Sequence, residues 1–345
     1  MKRIYLIREK HTPYGGAENY LQRFKDAAKK YPNFSFHTIN SPFPLFLPSW
    51  LRVILFNAFL RLTKGNRFYF SMDRITCPDV YRAGDGVHKI FLTKIRKSSF
   101  NPLHSVLLHL EKRCFENASK IIANSQMVRD QIVENFNVRK EKVVVIYNGV
   151  DKDRDVMHIP KKKLFKKFSI PLHHKVILFV GNGFERKGLA SFLKIIQLVA
   201  NENISALIVG ADKNTKKYKK IAQELEISNI VYFLGERKDV SEIYRLSEIV
   251  ILPTYYDPFS NVVIEALHYG NVVITTRQNG ASEIIDKSLQ MDNPNDTSIA
   301  RKINSLLQNN NEMKKIQRAN MIKARRFSID RNVSATLSEI EKILS

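Results

Sequence analysis

Two carboxylates eight positions apart, Asp257 and Glu265, flank the point where a strand-like run, Ile249 to Leu252, passes through a loop into a helix. Pro258 keeps that helix from starting early, and Ser260 or Asn261 can serve as its N-cap. The first N–H groups of a helix find no partner inside it and carry the positive end of its dipole. This turn therefore favours an anion such as a diphosphate. Asp257 lies in the loop. Glu265 is expected in the first turn or just past it, leaning back toward the N-terminus. The two acids can thus flank one ligand, and carboxylates accept well from paired sugar hydroxyls. The plainer reading is a capped helix with Glu265 stabilised by the macrodipole.

Other residues invite a similar weighing. Gly15 and Gly16 precede a helix, where glycine lets backbone approach a ligand, although a simple turn uses the same pair. Arg186 and Lys187 follow a strand and a Gly turn. Lys213 lies in a loop where a solvated lysine is the ordinary outcome. Asp85 and His88 stand at a predicted strand end. Asp151 and Asp153 form the nearest thing to an Asp-x-Asp metal motif and read better as surface charge, so no metal ligand is assigned.

The elements that must position these groups follow from length and pattern. The chain has 345 residues, room for about two domains. Hydrophobic residues make up 44% and aromatics 10%, which excludes a disordered chain. Two cysteines exclude a disulfide scaffold and a cysteine-rich zinc site. Strands alternate with helices twice over, which predicts two parallel sheets, each covered on both faces. The division is expected at 1–165 and 166–325, with 326–345 a terminal helix packing back on the first domain. The charge-rich stretch 152–175 reads as the connection. Ligands bind beyond the C-terminal ends of such strands, and the cleft between the domains is the expected site.

The segment around Asp257 and Glu265 resembles the E-x7-E signature of retaining family four glycosyltransferases, with Asp in place of the first Glu. Further motifs support the likeness along nearly the whole chain. Gly15 to Glu18 is similar to the family's N-terminal glycine loop, and Ile122 to Gln126 and Val145 to Asp151 to its middle motifs. Val180 to Gly188 is similar to its phosphate-binding loop. The resemblance implies an α/β GT-B fold, two Rossmann-like domains facing each other across a cleft, and transfer without a metal or a resident cofactor. It implies that Asp257 contacts the donor sugar and Glu265 the nucleotide ribose. Backbone amides at Phe259, Ser260, Asn261 and Val262 would meet sugar and diphosphate. Many relatives carry Arg where this chain has Asn182, so Arg186, with Lys187 and Lys213, is assigned to the leaving diphosphate. The segment Leu234 to Arg237 resembles the place where the family holds the base through backbone groups, and Asp85, with His88 second, the group beside the donor sugar. Asp85, Asp257 and Arg186 form the expected catalytic set.

The partner expected from charge is anionic. Lys and Arg total 56 against 33 Asp and Glu, a formal +23. Residues 1–167 hold 32 basic against 14 acidic side chains. Two basic or apolar stretches there could meet a membrane. His88 to Lys120 has the interfacial pattern, whereas Pro48 to Leu62 reads more readily as a core helix. The likeness is nearest to lipopolysaccharide core glucosyltransferases. It implies a nucleotide sugar, UDP-glucose or UDP-galactose, as donor, and a glycolipid or oligosaccharide acceptor. The expected place is cytoplasmic, peripheral on the inner face of the cytoplasmic membrane. A capsule or O-antigen glycosyltransferase is the closest alternative within the class. A non-catalytic sugar-nucleotide-binding protein or a basic nucleic-acid-binding protein are the rivals outside it, and no nucleic-acid motif supports the last.

Overall fold

The structure, a computed structural model, describes residues 1–9, 16–95, 101–150, 159–199 and 203–345, with the side chains of all but 16 and 17. It divides into two units, Met1–Gly149 with Ile329–Ser345, and Val150–Ser328.

The first unit runs β1 (Lys2–Ile7), α1 (Gly16–Ala28), β2 (Phe34–Ile39), α2 (Ser49–Thr63), β3 (Phe68–Ser71), β4 (Val80–Ala83), α3 (His88–Ile95), α4 (Pro102–Asn117), β5 (Lys120–Ala123), α5 (Gln126–Phe136) and β6 (Val143–Val145). Its sheet is parallel in the order β2-β1-β3-β4-β5-β6. Side chains alternate across it with period two. Phe70, Val80 and Ile122 face the cluster that contains Phe24 of α1. Tyr81 and Ile121 face Cys114 and Phe115 of α4 and Ile132 of α5, and Tyr69 packs with Phe56 and Leu60 of α2. The stretch 88–117 holds two helices, α3 and α4, and Asn101 caps the second ahead of Pro102.

The second unit runs α6 (Lys161–Lys167), β7 (Lys175–Val180), α7 (Phe184–Lys187), α8 (Leu189–Leu198), β8 (Ile204–Val209), α9 (Thr215–Glu224), β9 (Val231–Gly235), α10 (Val240–Leu246), β10 (Ile249–Leu252), α11 (Asn261–His268), β11 (Val272–Thr276), β12 (Gln290–Met291), α12 (Ile299–Gln308) and α13 (Asn310–Ala324). Its parallel sheet has the order β12-β11-β10-β7-β8-β9. The central strands are near-continuous apolar runs because both faces are covered.

The last helix, α14 (Ile329–Leu344), belongs to the first unit. Its Val333, Leu337 and Ile340 recur at helical spacing and are buried in the same cluster as Leu21 and Phe24 of α1. The division at Gly149 and Val150 differs from the boundary expected at 165. The lysine run 161–167 looked like a linker, but α6 buries Leu164 and Phe165, and its Lys161 and Lys167 pair with Glu248 and Asp239. Those lysines move with it. The first unit holds 27 basic against 14 acidic side chains and the second 29 against 19, so the excess is shared far more evenly than the two halves of the sequence suggested.

Strand order locates the sites. From β7 the chain winds outward through β8 and β9, then returns to lay β10, β11 and β12 on the other side. The reversal lies between β7 and β10, and in the first unit between β1 and β3. At such a switch point adjacent loops leave in opposite directions and open a crevice at the strand ends.

Candidate functional site

In the second unit the switch point brings together the loops after β7 and β10. The first contains Gly181 to Gly188 and the short helix α7. Gly188 is left-handed, with φ +78°, and a Cβ there would stand 1.9 Å from the Pro253 carbonyl oxygen. Only glycine allows that approach. The loops are joined at Arg186, whose carbonyl accepts from the Tyr255 N–H at 2.9 Å and the Thr254 hydroxyl at 2.9 Å. Its guanidinium Nη1 donates back to the Tyr256 carbonyl at 3.1 Å.

The expected acid and the expected cations meet directly. Lys187 Nζ donates to Asp257 Oδ2 at 2.6 Å, and Arg186 Nη1 reaches the same oxygen at 3.3 Å. Lys187 also lies 3.3 Å from the Ser260 hydroxyl. Burial pushes the Asp257 carboxyl upward, but Lys187 and Arg186 outweigh it and hold it below its ordinary value. Lys187 is buried, whereas the Arg186 side chain is 33% exposed. Both cations thus meet at Oδ2 of the carboxylate.

Asn279, which sequence reading missed, fixes the backbone around this cluster. Asp257 and Asn279 form a parallel bridge, and the buried Asn279 Oδ1 accepts from the N–H groups of Ser260 at 3.2 Å and Ala281 at 3.1 Å. This corrects one expectation. The Ser260 amide, assigned to the diphosphate, is given to Asn279, and the Ser260 hydroxyl faces Lys187. Ser260 still stands as N-cap residue of α11, without a side-chain capping bond. Phe259 is buried, and Asn261 and Val262 are half-buried at the helix start. Glu265 lies in the second turn of α11. The hydroxyl of Tyr244, on α10, donates to its Oε2 at 3.1 Å.

Two further expected residues lie on neighbouring loops. Lys213 is exposed. Its neighbour Asp212 does more for the site, accepting the Phe184 N–H at 2.9 Å where α7 begins. Arg237 is bound to Asp239 through two hydrogen bonds of 2.8 Å and lies over Phe168, at 5.4 Å from the ring centroid. Its guanidinium is thus held locally, a pairing that has no bearing on the backbone groups of this segment, where the base is expected. Asn182 ties strand ends together, accepting from the Ala211 N–H at 2.8 Å and donating to Glu236 at 3.3 Å.

In the first unit Gly15 and the rest of 10–15 lie outside the described residues, as do Asp151 to Asp153, and Gly16 begins α1. Asp85 is exposed in the turn between β4 and α3, and its charge acts on Arg8, Asp73 and Arg74. His88 is buried instead. Its Nε2 lies 3.0 Å from His104 Nδ1, and its backbone N–H donates to Glu111 Oε1 at 2.6 Å. Of the two, Asp85 is the one open to solvent. At this unit's switch point Arg8 bridges Asp73 at 2.6 Å and Glu18 at 2.8 Å, and the Glu9 N–H donates to Asp73 Oδ2. Burial keeps the Asp73 carboxyl above its ordinary value in spite of Arg8. No local motif marks Arg8 or Asp73, because 65 residues separate them.

Residues 160–326 match the model of the glycosyl transferases group 1, and residues 80–154 that of glycosyltransferase family 4. A curated relative, the D-inositol 3-phosphate glycosyltransferase of Corynebacterium kroppenstedtii, is 26% identical over 194 residues, 51% of this chain and 42% of that protein. Its match, like that to an uncharacterized glycosyltransferase of Methanocaldococcus jannaschii, spans less than half the relative's length. Among solved structures, WaaG, a glycosyltransferase involved in lipopolysaccharide biosynthesis, superposes with a TM-score of 0.81 at 17% identity, over 96% of this chain and 98% of that one. Anabaena HepE, crystallised with UDP-glucose, gives 0.77 at 19% identity, over 98% and 100%. At these identities the likeness shows the fold, which is GT-B. The match to the group 1 model over 160–326 contains Arg186, Lys187, Asp257 and Glu265, and the match to the family 4 model over 80–154 contains Asp85 and His88.

Proposed function

We propose that this chain is a retaining glycosyltransferase. It moves a hexose from a UDP-sugar, UDP-glucose or UDP-galactose, to the phosphorylated core of a membrane glycolipid of lipopolysaccharide or lipooligosaccharide type. The observation that carries the reading is the cluster of Arg186, Lys187 and Asp257 at the switch point, immediately before a helix that bears Glu265. A diphosphate needs cations and a helix start, and a sugar and a ribose need carboxylates. This crevice offers all of them.

The roles follow from burial. Lys187 stays with Asp257 and fixes the rotamer of the carboxylate, leaving Oδ1 for a sugar hydroxyl. Arg186 has the freedom to turn toward the diphosphate. Glu265, steadied by Tyr244, takes the ribose. As the bond from the anomeric carbon to the diphosphate oxygen breaks, Arg186 and the N-terminal end of α11 stabilise the charge that develops. The acceptor hydroxyl forms its bond on the same face, and its proton passes to the departing diphosphate oxygen. No step requires a metal or a resident cofactor. Asp85, in the first unit, keeps its proposed role beside the donor sugar.

The acceptor's phosphates and an anionic leaflet account for the basic excess. No helix among the described residues is long and apolar enough to cross a membrane. A peripheral place on the inner face of the cytoplasmic membrane is proposed from the basic excess and the glycolipid acceptor. The test is release of glucose from UDP-glucose by the full chain and by Asp257→Ala and Glu265→Ala. Abolished turnover in both, with unchanged circular dichroism, supports the reading. Wild-type turnover in both overturns it.

A further inference from the structure

Helix α2 turns the usual polarity of a surface helix inside out. Its buried face carries Arg52 and Asn57 beside Phe56 and Leu60. Arg52 donates to Glu9 at 2.5 Å, and Asn57 Oδ1 accepts the Thr76 N–H at 2.9 Å. Its outward face carries Trp50, Ile54, Ala58 and Leu62 at a spacing of four, all exposed. Just ahead of it Leu45 and Phe46 are 76% and 85% exposed. Five of the ten large apolar side chains exposed among the described residues thus lie between 45 and 62. Water does not favour such a face, and a patch of this kind marks an interaction surface.

Charge selects the occupant. Between Asp26 and Asp73 the chain has no Asp or Glu, while Arg61 and Arg67 are exposed at the far end of α2. An apolar stripe with a tryptophan, no acid and exposed arginines complements an anionic lipid surface. The stretch His88 to Lys120, favoured for this role by its sequence, is built differently. Ile90, Phe91, Val106 and Leu107 are half-buried and Leu110 is buried, so it shows Lys89, Lys94, Lys112 and Arg113 rather than apolar side chains. Its described residues can attract headgroups but have little to insert, and Arg96, Lys97 and Phe100 lie outside the described residues.

We propose that Leu45, Phe46 and the outward stripe of α2 insert into the headgroup–acyl boundary of an anionic bilayer, with Arg61 and Arg67 against the phosphates. The choice of a lipid over a protein surface rests in part on the proposed glycolipid acceptor.

Trp50 is the only tryptophan of the chain and lies in the patch, so its emission reads the lipid encounter directly. The full chain is titrated with vesicles of phosphatidylglycerol and phosphatidylcholine, and with phosphatidylcholine alone. Expected are a blue shift with the anionic vesicles only, and quenching by lipids brominated near the headgroup. The double variant Leu45→Ser, Phe46→Ser should bind vesicles about tenfold more weakly, or worse, because two large side chains no longer leave water. Its UDP-glucose turnover and thermal midpoint should match the wild type. Unchanged Trp50 emission, or undiminished binding by the double variant, overturns the proposal. So does a lipid-independent shift that grows with protein concentration, because a second copy then covers the face. Vesicle binding without any donor turnover would sustain the surface and sink the enzymatic reading.

Discussion

Lys187 Nζ lies 2.6 Å from Asp257 Oδ2, with both side chains nine-tenths buried, although 70 residues separate them. The acid assigned to a sugar is therefore first an ion-pair partner of a cation assigned to the phosphates. Removing one member of a buried pair leaves the other uncompensated, at a cost of about 3–5 kcal/mol. Asp257→Asn should lower stability by that order in urea unfolding. Lys187→Met added to it should recover part of the deficit. An Asp257→Asn midpoint equal to the wild type would show that the pair holds nothing.

The pH dependence has a definite sign. The folded-state value of Asp257 lies below its ordinary one, with burial opposing and Lys187 and Arg186 prevailing. Its contribution to stability is full above the ordinary aspartate value and is lost as pH falls through the lowered one. The stability gap between wild type and Asp257→Asn should hold from neutrality to about pH 5 and close below about pH 4. Urea midpoints along that series check it, and a gap that widens on acidification contradicts it.

Gly188 tests the join between the two loops. Gly188→Ala meets a left-handed backbone, which costs an L-residue about 1–2 kcal/mol, and also the Pro253 carbonyl at 1.9 Å. Gly183→Ala has φ +71° but nothing within 4 Å, so only the backbone cost applies. Gly188→Ala should have the lower thermal midpoint of the two and should weaken UDP binding, because it forces apart the loops that hold Arg186 and Asp257. Equal midpoints would argue against the close packing.

Tyr244 should act through Glu265. Tyr244→Phe removes a bond of 3.1 Å to a carboxylate, worth about 1.5 kcal/mol or more. The donor KM should rise about tenfold with kcat nearly unchanged. A fall in kcat at constant KM would place Glu265 in the chemical step instead of in ribose binding.

How much of this was legible depends on the range of the interaction concerned. Strands β7, β8 and β10 stood out because covered parallel strands are apolar runs bounded by loops. The turn from Asp257 into α11 was legible from Pro258 and Ser260, both local signals. The pairing of Lys187 with Asp257 was not, because it depends on β10 lying beside β7, and no spacing states strand order. The Ser260 amide was misassigned for the same reason, since Asn279 arrives from beyond β11. Helix α2 is apolar around most of its circumference, so periodicity could not say which face is outward, and a core helix was the natural expectation. The pairing of Arg237 with Asp239 spans only two positions, and that local signal could have been used.

The most direct measurement is saturation-transfer NMR of the full chain with UDP-, GDP- and ADP-glucose, repeated with Glu265→Ala. The account expects transfer to the uracil, ribose and glucose protons of the UDP-sugar, with transfer to the ribose protons disappearing in the variant. Equal transfer to all three nucleotides, or none to UDP-glucose, would contradict it.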